Sequence, residues 1–279
     1  MTLRLVSLMA QNADPFYRAL APVLAASTGL DVRLVEDVPW QERQRRFERG
    51  AAEIAFACGV YYTRQVDDHG RPLTLVAAPV PAAPRYGGRP VYFSDVVVRR
   101  DSPVRSFEQL RGRSLAYNEP GSHSGYNIVR WHLACQSWSG EFFGRVMEAG
   151  AHQTAMRLVA CGEVDAAAID TVVMEMELQE HPWLAGCLRV IHTLGPSPIP
   201  PAIAAPHLPE GPRRAVREAL LRLHQTEAGR RLLALGCFSR FEAVADHDYA
   251  PIRRMDFLAQ SVTLVPSSPA WDPGSGDAT

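Results

Sequence analysis

The chain has no lysine; all 29 of its basic residues are arginine. That absence removes enzyme classes built on a Schiff-base lysine, a P-loop lysine or a serine–lysine pair. An excess of one charge is missing too. Acids number 30 against the 29 arginines, the net charge is −1, and arginines lie beside acids rather than in a block. No nucleic-acid partner is expected from such a surface. No apolar run is long enough to span a bilayer, and the opening MTLRLVSLMA holds only a short apolar stretch broken by Arg4. As written, the chain reads as cytoplasmic and without membrane insertion. Trimmed from a secreted precursor, it would be periplasmic. Cysteine is sparse: Cys58, Cys135, Cys161, Cys187 and Cys237 show no C-x-x-C spacing. They read as buried free thiols rather than a disulfide or zinc framework. No cysteine or histidine pair has ligand spacing on one element, so neither metal nor cofactor is expected.

What is present suits a folded chain with a sizeable core. Of 279 residues, 47% are hydrophobic and 21% charged, enough for one large domain or two lobes. Residues 3–8 alternate like a strand. Residues 15–27 carry apolar side chains at helical spacing and are closed by Gly29. Strands at 31–38 and 53–57 flank an arginine-rich amphipathic helix at 40–49. This strand–helix alternation predicts a parallel sheet with right-handed crossovers. The proline- and glycine-rich stretch 79–90 breaks the pattern, and a strand at 92–99 opens a second α/β set. That set takes in a short helix at 106–110, a strand at 114–117, a helix at about 152–161 and the strand VDAAAID. A second proline-rich crossing, GPSPIPP, leads to a strand at 202–205 and helices near 213–225 and 227–236. The spacing predicts two lobes with hinge strands near 92–98 and 191–202. The first lobe takes residues 1–92 and 193–265, the second residues 93–192, and 266–279 has the composition of a disordered tail.

In open α/β sheets ligands bind outside the carboxyl ends of the strands. Those ends carry Gln11, then Tyr61 and Tyr62 in CGVYY, the run GSHSG, and Asp170 with Thr171, while His152 stands in the first turn of its helix. All of these are placed to face one cleft between the lobes. In NEPGSHSGYNIVRWH, a helix beginning near Ser124 offers unpaired N–H groups and the positive end of its dipole. Ser122 and Ser124 add hydroxyls and His123 a ring N–H, a donor set suited to a tetrahedral oxyanion. The plainer alternative is that a serine merely caps the helix while His123 faces water. GSHSG superficially matches the nucleophile elbow G-x-S-x-G, but its central residue is histidine. Tyr61, Tyr62 and Tyr92 taken singly are packing aromatics, His132 is packed or exposed, and Asp165 is structural.

The motif EPGSHSGY, preceded by SFEQLRGRSLAY, resembles the phosphate/phosphonate/phosphite-type substrate-binding proteins of ABC transporters. EIAFACGVYY is similar to that family's tyrosine-bearing first-lobe loop, and YFSDVVVRRDSPV to its hinge strand. GAHQTAM and GEVDAAAID are similar to the segments carrying its pocket histidine and aspartate, and the likeness runs over roughly residues 1–260. The resemblance implies a two-lobe periplasmic-binding-protein-like α/β fold of type II. Each lobe would be a mixed sheet flanked by helices, with the ligand in the inter-lobe cleft. It implies binding of a small oxyanion, a phosphonate, phosphite or phosphate, for an ABC permease, by a monomer without catalysis. Ser122, His123 and Ser124 would hold the oxygens and Tyr62 and Tyr92 would donate hydrogen bonds. His152 would contact an oxygen, and Asp170 would accept from the ligand, with Gln11, Tyr61 and Tyr126 as further contacts. His123 stands where that family usually has threonine. Two other uses of the fold remain open: a dehydratase- or lyase-like enzyme with His152 and Asp170 as acid and base, and a cytoplasmic ligand-sensing module.

Overall fold

The computed structural model describes residues 2–265, so the tail at 266–279 lies outside the described residues. The described residues divide into two compact units, one holding residues 2–92 and Pro196–Arg253, the other Phe93–Gly195 and residues 254–265.

In the first unit, β1 (Thr2–Ser7), α1 (Asp14–Thr28), β2 (Asp31–Val35), α2 (Trp40–Glu48), β3 (Ile54–Phe56), α3 (Gly59–Asp67) and β4 (Thr74–Pro81) follow in order. Helix α1 buries Phe16, Leu20 and Leu24 at helical spacing and ends at Gly29, whose φ of 69° a side chain would resist. Strand β1 pairs in parallel with β2 and β3. The second unit follows with β5 (Val91–Arg99), β6 (Ser114–Tyr117), α4 (Ile128–Cys135), β7 (Arg145–Glu148), α5 (His152–Cys161), β8 (Ala166–Asp170), α6 (Thr171–Glu180), α7 (Trp183–Cys187) and β9 (Leu188–Pro198). The chain then returns through β10 (Ala202–Ala204), α8 (Glu210–Arg222), α9 (Glu227–Leu235) and β11 (Phe238–Glu242), and α10 (Ala250–Ala259) closes it.

The first unit's sheet runs β11-β4-β10-β3-β1-β2. It is mixed rather than parallel, because β10 lies antiparallel to both β3 and β4, and β11 antiparallel to β4. Two proline-rich stretches read as chain breaks are partly strand. Pro79 and Pro81 end β4 beyond its pairing with β10, where a missing N–H costs nothing, and Pro196 and Pro198 end β9. CGVYY, read as a loop, opens helix α3, which buries Val60 and Tyr62.

Arginine rather than lysine matters to this unit's packing. Arg43 on α2 is buried, reaches Asp14 and donates to the carbonyls of Ser7, Glu36 and Val38. A planar fork of five donors serves four groups at once, which a single ammonium does not.

The second unit's sheet runs β7-β6-β8-β5-β9, with β6 parallel to β7 and β8, and β5 antiparallel to β8. Alternation along β5 divides the core. Val96 and Val98 face the cluster with Leu115, Ile128 and Leu133, and Val97 faces the cluster with Ala155, Met156 and Ile169. Helix α4 therefore packs on one face and α5 on the other. The expected return of residues 193–265 to the first lobe stops short, since residues 254–265 belong with the second unit. Val262 and Leu264 enter its core, and Arg130 Nε donates to the Val262 carbonyl at 2.6 Å. A segment with two apolar anchors follows the core that buries them.

The five cysteines are free, but only Cys237 is buried; Cys135 and Cys161 are exposed, and Cys58 and Cys187 lie between. Among the described residues no helix is long and apolar enough to cross a membrane.

Candidate anion-binding site

Strand β6 delivers the chain to a turn at Asn118–Gly121, where Ser122 N–H donates to the Glu119 carbonyl at 3.2 Å. The helix then starts at His123, one residue earlier than expected, with a single wide turn over His123–Asn127 that runs into α4. Asn127 N–H donates to the Ser122 carbonyl at 3.0 Å, five residues back, which gives the turn its width. Ser122 is the cap: its Oγ accepts from Gly125 N–H at 3.1 Å. Gly125 is required by close approach. A Cβ there would lie 2.0 Å from Asn118 Oδ1 and 3.1 Å from His152 Cε1.

The turn meets the first residue of α5. His152 Nε2 and Ser124 Oγ share a hydrogen bond of 3.0 Å, and Ser124 Oγ stands 3.5 Å from Ser122 Oγ. All three side chains are buried. Burial, the larger effect against the Ala168 carbonyl, pushes His152 down to about 4, so its ring is neutral at neutral pH. His123 is fully buried, and Asn127 Nδ2 donates to its Nδ1 at 3.2 Å. Two hydroxyls, two imidazoles and a helix start are thus held within one unit, and such a set favours oxyanions.

Asp170 ends β8 and caps α6. Its Oδ1 accepts from Val172 N–H at 2.8 Å and Val173 N–H at 3.2 Å. An aspartate expected only to accept from a ligand therefore has one oxygen committed to a helix start. Burial raises its carboxyl to about 7, against the opposing pull of those two N–H groups. Glu119, which sequence reasoning passed over although it lies inside the motif, is also pushed up to about 7, by burial and then by the charge of Glu148. Asn118 and Asn127 were likewise legible as part of the motif yet missed. Ser94 gave no signal: it pairs with Asp170 across β5 and β8, and its buried hydroxyl has no partner.

The other residues singled out in the sequence lie as follows. In the first unit Tyr62 OH donates to Asp246 at 2.9 Å and Tyr61 OH to Glu48 at 3.3 Å, while Gln11 is exposed at a short turn after β1. Tyr92 is buried at the end of that unit's first segment. Tyr126 packs its ring 4.7 Å from that of Tyr117 and turns its hydroxyl to the Leu264 carbonyl. Asp165 accepts from Ser114 N–H and Oγ, joining β6 to β8. His132 lies in an aromatic cluster, 4.4 Å between ring centres from Phe107. Glu177, Glu180 and His181 on α6 and just past its end bring possible metal-ligand atoms within 4.8 Å, a grouping the sequence reading did not anticipate. Glu177, however, already accepts from Arg157 at 2.6 Å.

The family model described as "ABC transporter, phosphonate, periplasmic substrate-binding protein" matches residues 9–249. The phosphonates-binding periplasmic protein of Escherichia coli (strain K12) is 25% identical over 173 residues, 60% of this chain and 51% of that protein. The match thus spans about half the length of that relative. Among solved structures, a binding protein component of an ABC phosphonate transporter from Pseudomonas aeruginosa superposes with a TM-score of 0.81. It is 21% identical, over 93% of this chain and 86% of its own. A Prochlorococcus marinus (MIT 9301) protein in complex with methylphosphonate gives the same TM-score at 15% identity, over 94% and 99%. At such identities the two likenesses establish the fold, that of type II periplasmic binding proteins. With more than half of its length matched by the family model, the chain belongs to the family of periplasmic phosphonate substrate-binding proteins of ABC transporters.

Proposed function

We propose that this chain binds a small phosphonate, phosphite or phosphate as the substrate-binding component of an ABC transporter, and delivers it to the permease from the periplasmic side. The observation that carries this is the buried constellation of Ser122, Ser124 and His152 at the helix start, in a chain whose residues 9–249 match that family. Ser122, His123 and Ser124 hold the anionic oxygens, and neutral His152 fixes Ser124 and contacts the ligand. Asp170, whose carboxyl is raised to about 7, takes a protonated oxygen or an amino group. Binding needs no covalent step, so the ligand returns unchanged.

Titration calorimetry with methylphosphonate, phosphite and phosphate tests the reading, with a neutral sugar as control. At least one anion should bind and raise the melting temperature, since a ligand held only by the folded state stabilises it. Ser122→Ala should weaken that binding by about 1–3 kcal/mol, the usual cost of losing a buried polar partner. Phosphorus NMR should show no new signal on prolonged incubation. Binding of none of the three anions would overturn the reading, and a product signal would turn it toward catalysis.

A further inference from the structure

Three arginines of the second unit meet without a carboxylate among them. Strand β5 ends at Arg99, and the N–H of Arg100 donates to the Cys187 carbonyl at 2.7 Å. Arg105 Nη1 and Arg189 Nη2 donate to one and the same oxygen, the Ser102 carbonyl, at 2.5 and 2.9 Å. Arg189 Nη2 also reaches the Val104 carbonyl at 2.8 Å, and Arg100 Nη2 the Ala185 carbonyl in α7 at 2.5 Å. Donors that share an oxygen stand within about 5 Å of each other. Burial, then the charges of Arg105 and Arg100, weaken the hold of Arg189 on its proton.

Neutral carbonyls satisfy N–H groups but leave the charge unbalanced. Elsewhere arginines take acids: Arg4 pairs with Glu53, Arg157 with Glu177 and Arg253 with Asp67. Here the acids close in sequence are engaged. Asp101 accepts from Arg99 Nε at 2.6 Å, and Glu108 is held by the Ser106 hydroxyl, with His192 and His132 as its neighbouring charges. Among the described residues no carboxylate pairs with Arg100, Arg105 or Arg189. In a chain of net charge −1 this concentration of positive charge exists only in the fold, since positions 100, 105 and 189 are far apart in sequence.

The α7 side of this rim carries exposed apolar surface. Leu188 joins the core cluster that holds Leu184 of α7, so Val190, two residues on in β9, turns to the same side. Val190 is 43% exposed, and Trp183 at the start of α7 is 53% exposed. The rim lies away from the anion-binding turn: Arg100 is about 20 Å along β5 from Ser94, the partner of Asp170.

We infer that this rim is a docking surface for an anionic phospholipid bilayer, with Arg100, Arg105 and Arg189 on headgroup phosphates and Trp183 at the interface. A free phosphate would need the arginines alone. An exposed indole beside them suits the boundary between headgroups and acyl chains, where tryptophan is enriched. Guanidinium forks match phosphate oxygens, and the bonds to carbonyls hold these forks in place. The contact is peripheral, and it does not depend on what the turn at Ser122 binds.

The full chain is sedimented at low salt with vesicles of phosphatidylcholine alone and of phosphatidylcholine mixed with phosphatidylglycerol. It should bind the mixed vesicles only, and high salt should release it. Arg100→Gln and Arg105→Gln should each lower partitioning about fivefold, the worth of one cation near an anionic surface. Trp183→Ser should weaken it severalfold and leave the salt dependence as it is. Arg231→Gln, which removes an exposed arginine of α9 in the first unit, should change nothing. No binding to the mixed vesicles overturns the inference, and so does binding that both arginine variants leave intact. Displacement by inorganic phosphate, with Trp183→Ser behaving as wild type, would make the rim a free-phosphate site and overturn the membrane assignment. Retention on polyglutamate without vesicle binding would assign it to an acidic protein partner and overturn it equally. Should an arginine variant fail to fold, Trp183→Ser and the salt titration of the wild type decide.

Discussion

Acidification should weaken the fold through His152, by an amount that its environment sets. In the native state burial holds the ring down to about 4, against an ordinary value of 6.5. A base with a lowered native pKa is protonated first in the unfolded chain. Its stabilising contribution is therefore complete above about pH 6.5, declines as pH falls toward about 4 and is constant below. At about pH 5 the two populations of protonated ring differ enough to remove about 2 kcal/mol, and the limiting loss is about 3 kcal/mol. Asp170 and Glu119 act in the opposite sense. Their carboxyls are raised to about 7, so as pH falls from 7 the folded state takes up their protons before the unfolded state does. The whole-protein curve is the sum, and the comparison that isolates His152 is with His152→Gln, which keeps an amide beside Ser124 but does not titrate. Urea melts of both proteins at about pH 7.5 and about pH 5 supply the four stabilities. The wild type's margin over the variant should shrink by about 2 kcal/mol between those conditions. A margin that stays constant within about 0.5 kcal/mol would refute the assignment of a buried, neutral His152.

Two further outcomes follow from packing. Arg43→Lys should lower stability by about 2 kcal/mol in a urea melt, because an ammonium cannot serve Asp14 and three carbonyls together and leaves buried acceptors unmet. An unchanged midpoint would show that the fork is dispensable. Gly140→Ala would place a Cβ 1.7 Å from the Thr263 carbonyl oxygen, which is main chain and cannot swing aside. It should cost about 2 kcal/mol or more and loosen the segment around Val262, measurable as faster amide exchange there. Protection equal to the wild type's would argue against that contact.

Much of the fold was written in local spacing. The helix over Asp14–Thr28 with its closing Gly29 and the helix over His152–Cys161 with Gly162 follow from apolar periodicity and a left-handed stop. Both are visible in any window of about a dozen residues. The strand character of Pro79 and Pro81 was hidden, because proline reads as a break unless one knows that β10 stops short of them. Helix α3 was hidden because Cys58 precedes it without a capping side chain.

The sequence by itself determined the α/β class, the order of the elements, the absence of lysine chemistry and the place of the helix start between Pro120 and Tyr126. Each of these depends on residue types at short separations. Tertiary structure alone decided that β10 runs antiparallel into a sheet otherwise begun in parallel, and that residues 254–265 pack with the second unit. It also decided that His152 reaches Ser124 across 28 positions, and that Asp170 caps a helix. The ionisation of His152, Asp170 and Glu119 belongs to the same class. Proton affinities are set by burial and by neighbouring charge, and both arise only when distant segments close over a side chain.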